Sequence, residues 1–162
     1  MLRGIHTMNA KVTKEIQSDE AAHRDLWIQT AAALGLTIKD LRNQKAIPEI
    51  LHLNETVGEG TDFFIRYLRF VAVEMVAEEI SRVLLASAPF SELVGESGQR
   101  WFHVHILHDL HEGMSHEELA LRLAWIFYFI DHQSEEPQEK DVSHTIHEMA
   151  DLFDAVGKAL SA

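Results

Sequence analysis

Apolar residues recur three and four positions apart along almost the whole chain, the spacing of one face of an α-helix. Leu26, Ile28, Ala31 and Leu34 mark a first helix running from about Val12. Gly35 ends it, since glycine tolerates the left-handed conformation just past a helix. Thr37 can cap a short second helix over 38–43. Residues 44–60 carry Pro48, Asn54, Gly58 and Gly60 and read as an irregular connection with about one helical turn. Thr61 or Asp62 can cap a long third helix, about 62–87. Its Phe63, Phe64, Tyr67, Leu68, Phe70, Val71, Met75 and Val76 cover most of the circumference, which predicts a central position. Pro89 stops it, and "SGQ" leads into a helix over about 98–112. Gly113 breaks that helix. Ser115 with Glu118 is a capping box that opens another, to about His132. After the polar "QSEEPQEKD", residues 141–161 form the last helix, with Val142, Ile146, Met149, Leu152, Phe153, Val156 and Leu160 on its inner face. No strand pattern survives. The expected class is all-α, a compact helical bundle forming a single domain over residues 1–162.

Composition narrows the function. The chain has 162 residues, of which 46% are hydrophobic, enough for a real core. Its formal net charge of −12 argues against nucleic acid and against anionic membrane surfaces, both of which need Lys and Arg. With no cysteine, disulfides, thiolate metal sites and Cys nucleophiles are excluded. The first residues lack the continuous apolar core of a signal peptide. The longest apolar run, "LAWIFYFI" at 123–130, is far short of the roughly 20 residues a membrane span needs. The expectation is a cytoplasmic protein.

The candidate chemistry is concentrated in "WFHVHILHDLHEG", residues 101–113, which holds His103, His105, His108, His111, Asp109 and Glu112. At about 100° per residue, His105, Asp109 and Glu112 share one narrow helix face, with His108 at its edge. Trp101 lies near that face, and His103 and His111 read as surface or rim positions. Two carboxylates beside an imidazole are costly to bury, and a divalent cation offsets that cost. Iron or manganese accepts this donor set. Two further helices offer partners. Glu20 and His23 stand three residues apart on the first helix, and Glu74 is embedded among Val71, Ala72, Val73, Met75 and Val76 on the third. The same residues also fit a blander picture, in which the His-rich face, the Glu–His pair and Glu74 belong to solvated polar stripes.

The order of these pieces resembles that of the heme-oxygenase-like diiron oxidases and oxygenases, relatives of the TenA and PqqC folds. It runs Glu-x-x-His, "W", "ALGL", a Pro-containing connection, a long helix with an embedded Glu, the aromatic pair Trp101–Phe102, then His-x3-Asp. The resemblance covers roughly residues 15–130. It implies two irons, with manganese as an alternative, held by Glu20, His23, Glu74, His105 and Asp109. The family's last His falls on Glu112, a departure that His108 or His111 can make good. The implied activity is oxidation of a small organic substrate by dioxygen, with Phe70, Trp101 and Phe102 lining the pocket. A shorter N-terminal segment than the family usually carries implies an N-terminally truncated bundle, whose uncovered side is either closed by a second copy or leaves the site more open than usual; the expectation is a homodimer. Two other classes remain. One is a metal-free helical domain of the same fold with a ligand- or partner-binding role. The other is a cofactorless enzyme of the PqqC or TenA type, although the Cys nucleophile of the thiaminases is missing.

Overall fold

The computed structural model describes residues 22–60, 62–107, 116–131 and 138–162. The expected helix start near Val12, the end of the His-rich helix and the Ser115 cap lie outside them. All regular structure among the described residues is α-helical: α1 (22–33), α2 (Ile38–Asn43), α3 (Pro48–Gly58), α4 (Phe63–Ala86), α5 (Ala88–Leu107), α6 (His116–Asp131) and α7 (Glu139–Leu160). None of them is long and apolar enough to cross a membrane.

Several boundaries follow local chemistry. Gly35 adopts φ 81°, as the end of α1 requires. Thr37 and Asp40 form a reciprocal cap on α2. The Asp40 carboxylate accepts from the Thr37 amide at 2.8 Å, and the Thr37 hydroxyl accepts from the Asp40 amide at 3.2 Å. The Asp62 carboxylate accepts the Phe64 amide at 2.9 Å and so caps α4.

Two expectations fail, both at proline. Residues 48–58, read as irregular, form the eleven-residue helix α3 with Pro48 in its first turn. Proline has no N–H there to lose. Glu49, Ile50, Leu53, Thr56 and Val57 then make a buried or half-buried stripe at helical spacing. Likewise Pro89 does end the preceding helix, but it also lies in the first turn of α5, ten residues before the expected start. Within α5 the helix is broken at Gly95 (φ 60°, ψ −178°), a conformation open essentially only to glycine. Beside this break, the Ser91 carbonyl accepts a hydrogen bond from Gln99 Nε2 at 2.9 Å.

The chain divides into two compact units, Met1–Asn43 with Arg82–Val104, and Gln44–Ser81 with His105–Ala162. In the first, α1 packs on α5 through a close contact at Gly98, whose carbonyl accepts from the buried Thr30 hydroxyl at 2.7 Å. A Cβ at Gly98 would stand 2.8 Å from Val94 Cβ and 3.0 Å from Ala33 Cβ, so only glycine permits this approach.

The second unit is built on α4, α6 and α7. Phe64, Ala124 and Tyr128 form its buried cluster, with Ile65, Tyr67, Leu68 and Val142 packed against them. The Phe64 and Tyr128 rings meet edge-on at 4.8 Å, and Phe127 stacks on both Phe63 and Tyr67. Arg69, on α4, ties three helices together. Its guanidinium grips the Glu148 carboxylate of α7 through Nε and Nη2, while Nη1 donates to the Thr56 and Glu59 carbonyls at the end of α3. Every guanidinium nitrogen thus has an acceptor, at a site where the Arg69 side chain is 14% exposed.

Burial corrects two further expectations. Helix α4 is not enclosed on all sides: Met75, Ile80 and Val83 are about half exposed or more. On α7, Ile146 and Leu160 face outward rather than inward, and Thr145 is buried instead, its hydroxyl donating to the Asp141 carbonyl at 2.9 Å.

Candidate functional site

Three of the six expected metal ligands can be placed. His23 on α1, Glu74 on α4 and His105 on α5 are each more than nine-tenths buried, with exposures of 6, 8 and 8%. Side chains of these types are seldom so buried, and all three take part in interactions. The solvated-stripe picture therefore does not hold for these residues, whereas His103, expected at the surface, is exposed. Glu74 and His105 belong to the second unit and His23 to the first. Glu20, Asp109 and Glu112, with the alternates His108 and His111, lie outside the described residues. Among the described residues, no group of three or more His, Asp or Glu is placed to hold a metal ion.

The three expected pocket aromatics belong to different units. Trp101 and Phe102 belong to an aromatic cluster of the first unit. Trp27 meets Trp101 at 4.9 Å, and Phe102 is buried between Trp27, Trp101 and Phe90, with ring centroids 5.0–6.2 Å away. Phe102 there is core. Phe70 is in the second unit, on the wall of a shallow cavity of about 250 Å³ with Val57, Phe63 and Tyr67.

The second unit also carries a cavity that sequence reasoning did not single out. It is a groove of about 380 Å³ between α4, α6 and α7, and its described lining residues are all apolar. Val71, Ala72 and Met75 come from α4, Leu121 from α6, and Ile146 and Met149 from α7. Met149 is buried, while Met75 and Ile146 stand at 58 and 57% exposure. The all-round apolar character of α4 was the signal for it: a helix with more apolar faces than the fold covers leaves one open. A third cavity, of about 530 Å³, has a mixed lining in which Asp62, Arg69, His144 and Glu148 stand beside Phe64 and Tyr128. Asp62 and Arg69 are already committed there to a helix cap and to the Glu148 clamp.

The chain matches no protein family, no curated protein and no solved structure with which it was compared.

Proposed function

We propose that this chain is a helical binding domain that acts through the apolar groove on α4, α6 and α7. The observation that supports this reading is the groove itself, lined among the described residues by eleven apolar side chains and no polar one. Ligand sites are usually apolar hollows with a few polar groups. A wholly apolar one selects for shape and hydrophobicity. Among the described residues, nothing in it offers general acid–base or nucleophilic chemistry. Nile red tests the reading at sub-micromolar protein. Its emission should rise and shift to the blue on binding, and Ala72→Trp, which fills the groove from the α4 wall, should abolish the response. An undiminished response in Ala72→Trp refutes it.

A second reading is favoured by one specific observation, the burial of His23, Glu74 and His105. Imidazole and carboxylate are ligand types that suit iron or manganese. Under this reading Glu20, His23, Glu74, His105, Asp109 and Glu112 hold two ions and the chain oxidises a small organic substrate with dioxygen. Bound iron would supply open coordination positions and Lewis acidity. The protein's part is to fix the donors and to keep water from them. Metal content after expression with iron tests it. About two ions per chain, lost in Glu74→Ala, supports the reading. Less than one ion per chain, with His105→Ala unchanged in thermal stability, overturns it.

A further inference from the structure

We propose that the apolar face of α4, α6 and α7 is closed by a second copy of this chain in a two-fold dimer. The inference rests on the reading that the groove is a binding site, and it names the occupant.

The groove is the centre of a larger apolar surface. On α6, Leu121, Trp125 and Phe129 follow one another at i, i+4 and i+8, so they form one stripe. They are 39, 40 and 47% exposed, and the Trp125 and Phe129 rings stack at 5.8 Å. Leu121 joins this stripe to the groove, where Met75 and Ile146 stand out from α4 and α7. At these exposures each of the five side chains leaves about 70–110 Å² in water, roughly 500 Å² together. A standard interface takes about 800 Å² from each partner, of which about 450–520 Å² is apolar. One copy therefore offers the apolar area that a stable pair requires. A small apolar ligand in the groove would leave Trp125 and Phe129 in water.

The face also has the form that self-association needs. A two-fold interface places one patch against itself, so projecting and hollow parts must occur on the same surface. Here the part-exposed, stacked rings of α6 continue from a groove whose lining includes the buried Met149, with Val71 and Ala72 on its α4 wall. On α6, Glu118 and Arg122 pair with each other at 2.8 Å. The long-range field does oppose association, because each copy carries −12. Screening should therefore tighten this dimer, whereas it would loosen a complex with a basic partner.

Sedimentation of the full chain over about 0.5–100 µM tests this. The mass should rise from 18.4 kDa to twice that value. Dissociation should weaken several-fold between about 50 mM and 500 mM salt, and Nile red should leave the groove as the dimer forms. Ile146→Lys should loosen the pair by at least about 100-fold, because it buries two unpaired charges. Leu160→Lys, on a more exposed residue about four turns further along α7, should leave it unchanged. The chain has no cysteine, so Leu121→Cys provides a single thiol that needs no disruption of the face. Its maleimide labelling should slow at least about 10-fold as concentration rises. A chain that stays at 18.4 kDa throughout, a dimer that salt dissolves, or a dimer that Ile146→Lys leaves intact overturns the proposal. A monomer that still binds Nile red in the groove defeats the dimer alone. A monomer that does not bind it defeats the binding-domain reading as well.

Discussion

The same substitution, glycine to alanine, should have opposite effects at two helical positions of this chain. In a helix interior alanine is favoured over glycine by up to about 1 kcal/mol. Gly157 lies in α7, with nothing within 4 Å of the position its Cβ would take. Gly157→Ala should therefore stabilise the protein by about 0.5 kcal/mol, below the full value because the helix ends soon after. At Gly98 the new methyl would stand 2.8 Å from Val94 Cβ and 3.0 Å from Ala33 Cβ. Carbon atoms settle at about 3.5–4.0 Å, so α5 must distort locally around Val94, and α1 must draw back from α5 at Ala33 by a good fraction of an ångström. Neither neighbour is the far end of a flexible side chain, and Val94 is only 2% exposed. Overpacking of this kind costs about 1–3 kcal/mol. Separation also stretches the 2.7 Å bond from Thr30 to the Gly98 carbonyl, a loss of about 1 kcal/mol. After the propensity gain, Gly98→Ala should destabilise by about 1–3 kcal/mol. Urea unfolding followed by far-ultraviolet circular dichroism measures both variants. If Gly98→Ala proves as stable as Gly157→Ala, the close contact of α1 with α5 is wrong.

Arg69→Lys keeps the charge but loses the fork that holds Glu148 and two α3 carbonyls, and should cost about 1–3 kcal/mol in the same assay. Gly95→Ala should cost about 1–3 kcal/mol although space is open around it, because φ 60° with ψ −178° excludes a side chain; an unchanged midpoint would contradict the break in α5. The Thr37 hydroxyl, and then its amide, hold the Asp40 carboxyl below the ordinary value of 3.8. A depressed carboxyl contributes stability that is complete above the unfolded value and lost as pH falls through the folded one, so α2 should loosen only in acid below 3.8. Carboxyl-carbon NMR should place the Asp40 midpoint under that value, and Thr37→Val, which removes the hydroxyl but keeps the amide, should raise it only part of the way back.

Much of this protein is local and was legible in residue order. The all-α class, the end of α1 at Gly35, the Thr37 cap, and the burial of Glu74 and His105 follow from helical spacing and from polar residues set in apolar surroundings. Proline misled the reading twice, because a proline that forbids the middle of a helix is equally at home in its first turn. Only the tertiary structure separated covered faces from open ones. Met149 and Ile146 occupy the same apolar stripe of α7, yet one is buried and the other stands in solvent. Periodicity identifies the face that avoids water. Which parts of that face find a neighbour depends on helices distant in sequence, and so the groove, the Arg69 clamp and the Gly98 contact arise only when the helices are packed.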